Sequence, residues 1–124
     1  MRPRHGTLSL PVNGEPTPVP GVPHLHCSAC GENVLTVEQV GILEAGALAR
    51  YRSRHHLLTA DEIRALRERL DLTQAALAKL LRLGANTLSR WEAGRNVQTA
   101  ALDVLLRLLR DVPGSLVYLK RHAA

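Results

Sequence analysis

Aromatic residues are almost absent from this sequence of 124 residues, which contains no Phe, one Trp and two Tyr. A hydrophobic core must therefore be built mainly from Leu, Val and Ala, a composition that suits a small helical bundle. Hydrophobic residues make up 45% of the chain, so disorder throughout is not expected. The length suits one domain of common size or two small ones.

Long apolar runs are also missing. No stretch approaches the roughly 20 apolar residues that a membrane-spanning helix needs, and the first residues lack the apolar run of a signal peptide. We therefore expect a cytoplasmic protein without a membrane partner. The sequence also offers no nucleophile–base set, phosphate loop or paired carboxylates, so we do not expect an enzyme.

Positive charge is in excess, with 16 Lys and Arg against 11 Asp and Glu. Most of this excess lies in residues 57–124, which hold 11 basic and 7 acidic side chains, whereas residues 1–56 hold 5 and 4. A basic surface favours contacts with nucleic-acid phosphates because each contact releases counterions. The same charges also suit a solvated, Arg-rich face, so charge alone leaves the function open.

The composition divides the chain into three segments. Residues 1–35 are rich in Pro and Gly, and Asn13-Gly14 is a turn signal, which together predict a small β-hairpin whose prolines keep its strands at sheet edges. Residues 36–56 open with a capping box at Thr36 and predict a connector helix over 37–54. Residues 57–124 predict a helical domain, so the fold class is mainly α.

The third segment carries the strongest helical patterns. Thr59 opens a second capping box, and the apolar residues that follow it share one face of a helix. Asp71 interrupts this helix, and Gly94 is predicted to end a later one. The four further helices are predicted over 74–81, 85–93, 99–110 and a short stretch that begins at Pro113.

The stretch from Leu72 to Gly94 has the periodicity of a helix-turn-helix, with Gly84 predicted to supply the unusual dihedral angles of the turn or to cap the next helix. In its second helix, Leu88 and Trp91 are predicted to face inward. The opposite arc then presents Asn86 and Arg90, one helical turn apart, to the DNA major groove. Asn can pair with adenine and Arg with guanine at the base edges there.

The partner predicted by this arrangement is double-stranded operator DNA. Gln74, at the start of the first helix of the motif, is predicted to meet a phosphate. The full set of predicted DNA contacts is Gln74, Lys79, Arg82, Ala85, Asn86, Thr87, Ser89, Arg90 and Arg95. One helix alone gives too little specificity, so we expect a homodimer that binds two half-sites. Leu116, Val117 and Leu119 form the predicted interface, with a plain core role as the alternative.

The motif resembles the helix-turn-helix of the xenobiotic-response-element and Cro/phage-repressor class. The residues that carry the resemblance are Leu72-Thr73-Gln74, Leu77-Ala78 and Leu88-Ser89-Arg90-Trp91-Glu92, followed by Gly94. The resemblance implies a five-helix, Cro/phage-repressor-like C-terminal domain. It also implies that Glu92 ties the recognition helix to its scaffold.

Cys27, Cys30 and the following Gly31 have the spacing of a zinc knuckle, in which two thiolates hold one face of a tetrahedral ion. In a reducing compartment such a pair is more often metal-binding or redox-active than a structural disulfide. Two thiolates cannot complete four ligands. His24 and His26 share one side of a predicted strand and could present one imidazole to a metal.

The knuckle and the helix-turn-helix together are similar to MqsA-type (YgiT-like) antitoxins, which have two CxxCG motifs, a connector helix and a Cro-like domain. Cys27 and Cys30 match the second motif, whereas the first would fall on residues 2–6, where Arg2 cannot ligate. The set that the resemblance implies for one structural zinc is Cys27, Cys30, His5 and His26, with His24 as the alternative to His26. A degenerate, metal-free domain and a redox disulfide remain as alternatives.

The resemblance implies a transcriptional repressor that is the antitoxin of a type II toxin–antitoxin pair and autoregulates its operon. It also implies that the N-terminal region holds a ribonuclease toxin. The alternative is a free-standing regulator of the xenobiotic-response-element class without a toxin partner. A toxin reading frame beside the gene would distinguish the two.

Overall fold

A computed structural model describes residues 1–122, which divide into two compact units with the boundary between His55 and His56. The chain is mainly helical, with a small antiparallel sheet near its N-terminus, as predicted. No helix within residues 1–122 is both long enough and apolar enough to span a bilayer. The elements in chain order are β1 (Arg2–Val12), β2 (Glu15–His26), β3 (Asn33–Val34), α1 (Val37–Arg54), α2 (Ala60–Arg69), α3 (Gln74–Leu80), α4 (Thr87–Glu92), α5 (Ala100–Asp111) and α6 (Ser115–His122).

The first unit is built on the hairpin of β1 and β2. Its register runs from the Arg2–His26 pair to the Val12–Glu15 pair, with one irregularity after Gly6. Asn13-Gly14 closes the hairpin with positive φ at both residues, as the turn signal predicted. Strand β3 pairs only with the last two residues of β2, so the proline-bearing part of β2 has one partner and remains an edge, as expected.

Helix α1, which was predicted as a connector, packs onto β1 and β2 inside the first unit. It begins at Val37 and ends at Arg54, the predicted bounds, and the Thr36 capping box is present. Helix α1 lies close to β2 at Gly46, because an added Cβ there would lie 2.8 Å from Cγ1 of Val19. The apolar core of this unit consists of Val12, Val19, Val22, Leu43 and Ala47.

The second unit contains the five predicted helices, α2 to α6. Thr59, Thr73 and Thr99 are the N-caps of α2, α3 and α5, and each hydroxyl accepts a hydrogen bond from the first turn of its helix. The buried core of the unit consists of Leu58, Ile63, Leu66, Leu77, Ala78, Leu81, Leu88, Trp91, Leu106 and Leu109. Leu and Ala therefore supply most of this core, with one indole.

Three details of the second unit differ from the sequence predictions. Helix α4 spans Thr87–Glu92 rather than 85–93, so Asn86 is its N-cap. In the turn between α3 and α4 the left-handed residue is Arg82, with φ of 57°, and Gly84 does not have a positive φ. The prediction for Gly84 was therefore wrong about its dihedral angles, because the reversal occurs directly after the C-cap of α3. The last helix begins at Ser115 rather than at Pro113.

The residues predicted as a dimer interface divide between two environments. Leu116 and Leu119 are partly buried and pack against the core of the second unit. Val117 is 54% exposed. The core alternative therefore describes Leu116 and Leu119, and Val117 alone lies on the surface.

Candidate nucleic-acid interface

Helix α4 presents one apolar and one polar face. Leu88 is fully buried and Trp91 is 2% exposed, whereas Asn86 and Arg90 are exposed. Helices α2 and α3 both pack against α4 and hold its apolar face in the core. This arrangement agrees with the prediction that Leu88 and Trp91 face inward and leave Asn86 and Arg90 outside.

The amide of Asn86 is not consumed in capping. Asn86 is the N-cap of α4, yet its side chain makes no capping hydrogen bond. The backbone carbonyl oxygen of Asn86 accepts a bond of 3.0 Å from the hydroxyl of Ser89. The amide group of Asn86 is therefore exposed at the first turn of α4, the end from which a recognition helix contacts base edges.

The other predicted DNA contacts lie around α3, the turn and the loop after α4. Lys79, Arg82, Ala85 and Arg95 are exposed, and Thr87 and Ser89 are half-buried. The side chain of Gln74 lies beside the carboxylate of Glu92 and helps to lower the pKa of Glu92. The N-terminus of α3 is therefore close to the C-terminal end of α4.

Glu92 is the buried anchor of α4, with a side chain only 1% exposed. Arg67 of α2 makes a two-pronged ion pair with it, at 2.8 Å from Nε to Oε2 and 2.9 Å from Nη2 to Oε1. Arg64 adds a longer contact of 3.4 Å to the carboxylate and a bond of 3.2 Å to the Glu92 carbonyl. These bonds fix α4 on α2, in line with the role that the class resemblance implied for Glu92.

The surroundings of Glu92 act on its pKa in opposite directions. Burial, the largest influence, raises the pKa of Glu92, whereas the hydrogen bonds from Arg67, Gln74 and Arg64 lower it. The net pKa of Glu92 lies below its ordinary value. The hydrogen bond to Glu92 also raises the pKa of Arg67, so the pair stays charged at neutral pH.

A second buried network, absent from the sequence analysis, joins the start of the unit to α5. Asp103 Oδ1 accepts a bond of 2.8 Å from the Leu58 amide, and Gln98 donates to both the Leu58 carbonyl and Asp103. Arg107 pairs with Asp103 at 2.8 Å. The Asp103–Arg107 spacing of four residues was a visible helical signal, but the partner at Leu58 lies 45 residues away and gave no local signal.

The CxxC turn follows β2 and precedes β3. Gly31, with φ of 73°, ends the turn in a conformation that favours glycine, and its amide donates to the Cys27 carbonyl at 2.8 Å. Hydrogen bonds from the Cys30 amide, the Cys30 thiol and the Ala29 amide lower the pKa of the Cys27 thiol. The turn thus has hydrogen-bond donors that stabilise a thiolate at Cys27.

The structure does not bring the predicted zinc ligands of one chain together. His24 is buried and its Nδ1 bonds to the Val22 carbonyl at 2.8 Å, while Nδ1 of His26 bonds to Asn33 at 2.8 Å. His5 pairs with Pro23, whereas His24 and His26 pair with Arg4 and Arg2. Because successive side chains on a strand point to opposite faces, His5 lies on the opposite face of the hairpin from His24 and His26. Within residues 1–122 no group of three or more His, Cys, Asp or Glu side chains could hold a metal ion.

Comparison with known proteins identifies the family. A family model described as "Antitoxin component of bacterial toxin-antitoxin system, MqsA" matches residues 5–120. "Antitoxin HigA-2" of Vibrio cholerae serotype O1 is 32% identical over 62 residues, which cover 50% of this chain and 60% of that protein. These matches define the class as an antitoxin component of a toxin–antitoxin system. The chain belongs to the MqsA antitoxin family.

Proposed function

We propose that this antitoxin is a sequence-specific DNA-binding repressor that autoregulates its own operon, and that it is not an enzyme. The observation that carries the proposal is the arrangement of α4, which buries Leu88 and Trp91 and exposes Asn86 and Arg90. In this proposal α3 and α4 form a Cro/phage-repressor-like helix-turn-helix. Helix α4 enters the major groove of operator DNA.

The proposed contacts fall into two groups by chemistry. Asn86 and Arg90 contact base edges, adenine and guanine respectively, and so determine the preferred sequence. The cationic side chains around them contact phosphates and contribute affinity without sequence preference. The proposed phosphate contacts are Lys79, Arg82 and Arg95. We propose that Gln74, Ala85, Thr87 and Ser89 make further contacts to the DNA backbone through polar side-chain or main-chain groups.

Substitution of the two base-contacting residues tests the proposal. We expect Asn86→Ala and Arg90→Ala each to weaken binding to the operator upstream of the gene by about 1–3 kcal/mol, or roughly 5- to 150-fold. Binding to unrelated DNA should change much less, because only the base contacts are lost. Fluorescence anisotropy with both DNAs at one fixed salt concentration measures this difference.

Arg50→Ala is the matched control for loss of one positive charge. Arg50 is exposed on α1, in the first unit, and is not among the proposed contacts. We expect it to leave discrimination between operator and unrelated DNA unchanged. Operator discrimination that survives both Asn86→Ala and Arg90→Ala would contradict the proposed reading face.

We further propose that the repressor acts as a homodimer. Apolar side chains remain exposed on the second unit at Val104, Leu108, Val112 and Val117, at 57%, 45%, 47% and 54%. A homodimer that covers such side chains would present two α4 helices to half-sites about one DNA turn apart. Sedimentation of Leu108→Asp tests this, with a monomer expected for the variant and a dimer for the native chain.

Membership in the antitoxin family supports a toxin partner, which we propose to be a ribonuclease bound by the first unit. The test is co-expression of the full chain with the product of the neighbouring reading frame. We expect growth arrest by that product alone, rescue by the chain and co-purification of the two proteins. Absence of a neighbouring toxin gene would favour the second candidate, a free-standing regulator that uses the same DNA-binding surface.

A further inference from the structure

The hairpin of the first unit has two outer edges of different character. Strand β1 pairs with β2 along one side, and no strand within residues 1–122 pairs with its other side. The outer side of β2 pairs with β3 only at Leu25 and His26. A free edge exposes backbone N–H and C=O groups that can pair with a further strand. Whether either edge can accept a strand therefore depends on which of these groups it presents.

The strand register indicates which backbone groups of β1 point away from β2. Asn13-Gly14 is a two-residue turn, and the residues that flank such a turn, Val12 and Glu15, are a hydrogen-bonded pair. Hydrogen-bonded and non-hydrogen-bonded pairs alternate along an antiparallel ladder, so the Ser9–Pro18 pair is of the second kind. The N–H and C=O groups of Ser9 therefore point to the free edge of β1.

His5 presents its backbone groups at the same edge. It pairs with Pro23, which has no N–H, so the two residues are not a pair that exchanges both hydrogen bonds. Thr7 lies between His5 and Ser9, at the irregularity of the hairpin, and has no partner in the register. All three residues of this donor window, His5, Thr7 and Ser9, are exposed. The free edge of β1 thus offers N–H groups from three alternate residues.

Prolines close the remainder of both edges. On β1 the next positions in the same alternation are Pro3 and Pro11, which limit the donor window on either side. On the outer side of β2 the residues without an N–H are Pro16, Pro18, Pro20 and Pro23. Proline on an edge strand removes a donor and blocks pairing with another strand. The donor window of β1 is therefore the part of the hairpin that can accept a strand.

The side chains at one end of the donor window are basic. Arg2, Arg4 and His5 are exposed, and the sequence of β1 contains no acidic residue. Opposite charges on neighbouring strands stabilise their pairing, whereas like charges destabilise it. A strand that carries Asp or Glu opposite this end of β1 is therefore the best electrostatic match.

We propose that the toxin adds an edge strand with acidic side chains to β1, paired with the backbone of the donor window. This inference rests on the proposed toxin partner of the first unit, and it names the surface that the partner occupies. In strand addition the backbone hydrogen bonds supply affinity, and alternate side chains supply specificity. The outward groups of the window are not used within the hairpin, so the toxin can bind without rearrangement of the first unit.

Ser9→Pro tests the proposal, because it removes one outward N–H and no hydrogen bond within the hairpin ladder. The probe is the product of the neighbouring reading frame, titrated onto the full chain by calorimetry. We expect Ser9→Pro to weaken binding by about 10-fold or more, and Ser9→Ala, which keeps the N–H, by less than about 2-fold. Arg4→Glu should weaken binding more than Arg50→Glu, the matched charge reversal on α1. Operator binding should be unchanged in Ser9→Pro.

Hydrogen exchange tests the same edge in the native chain. The amides of His5, Thr7 and Ser9 should exchange fast in the chain alone and slowly in the complex. Slow exchange in the chain alone would mean that another copy or segment covers the edge, and would overturn the proposal. Native affinity in Ser9→Pro, or fast exchange in the complex, would also overturn it and would place the toxin elsewhere on the chain. A neighbouring product that does not bind the native chain would overturn both this inference and the toxin partner itself.

Discussion

Removing Arg67 tests whether the buried ion pair positions α4 as the structure indicates. Arg67→Met keeps the length of the side chain but leaves the Glu92 carboxylate, 1% exposed, without its two short bonds of 2.8 and 2.9 Å. Loss of one partner of a buried pair costs about 3–5 kcal/mol. Because Arg64 and Gln74 still contact Glu92, we expect the lower end of this range, about 3 kcal/mol.

The assay is denaturant unfolding of the full chain followed by tryptophan fluorescence. Trp91 is the one Trp in the sequence and lies in the core of the second unit, so the signal reports on that unit. A loss of about 3 kcal/mol corresponds to a fall in Tm of roughly 12–24 °C for a domain of this size. Arg64→Met is the matched control, since the Arg64 side chain is 49% exposed and should contribute less than about 1 kcal/mol.

The pH dependence separates this explanation from a simple packing defect. In the native chain the pKa of Glu92 is lowered, so its stabilising contribution is present above the ordinary carboxylate range and is lost as pH falls. In Arg67→Met, burial dominates and raises that pKa, so the variant regains stability when Glu92 is protonated. The difference in unfolding free energy between the two proteins should narrow from pH 7 to pH 4. A difference below about 1 kcal/mol at pH 7, or one that does not narrow, would refute the reasoning.

Four further substitutions have expected outcomes. Trp91→Ala should destabilise the second unit by about 3–5 kcal/mol, and an unchanged melting curve by circular dichroism would contradict its place in the core. Gly46→Ala should lower the stability of the first unit by about 1–3 kcal/mol through its clash with Val19. Gly41→Ala, whose added Cβ meets open space, should raise that stability by about 0.5–1 kcal/mol. Equal changes in stability for the two variants would contradict the close approach of Gly46 to Val19. Arg82→Gly should raise stability by up to about 1 kcal/mol by relieving the positive φ and should weaken DNA binding independently of sequence.

The local signals in the sequence predicted the elements of this protein well. Helix α1 has the predicted bounds of 37–54, and the capping boxes at Thr36 and Thr59 are both present. The Asn13-Gly14 turn closes the hairpin where the sequence placed it. Each of these features depends on residues within four positions of one another, so a short stretch of sequence contains all the information that it needs.

The inward placement of Leu88 and Trp91 was also predictable, because the periodicity of α4 specifies one apolar face. The contacts from distant residues that hold the helices in place were not predictable. Arg67 reaches Glu92 across 25 residues of sequence, and Asp103 caps the Leu58 amide across 45. Such pairs depend on how the helices pack, and the sequence near either partner does not specify the other.

The predicted zinc ligands show the same limit of prediction from sequence. The CxxCG spacing indicated a knuckle turn, and Gly31 with its positive φ agrees with that turn. The implied zinc site combined His5 with His26 or His24. The strand register, however, places His5 on the opposite face of the hairpin from His24 and His26. Alternation along a strand assigns a face only after the pairing is known.

By itself, then, the sequence determined where the hairpin turns, where α1 begins and ends and which face of α4 is apolar, since caps, turns and periodicity act over a few residues. Tertiary structure decided that α1 packs on the sheet with Gly46 close to Val19, that Glu92 is held by Arg67, and that the predicted zinc ligands within residues 1–122 are not brought together. These outcomes depend on contacts between distant segments, whose free energy exists only once the chain has folded.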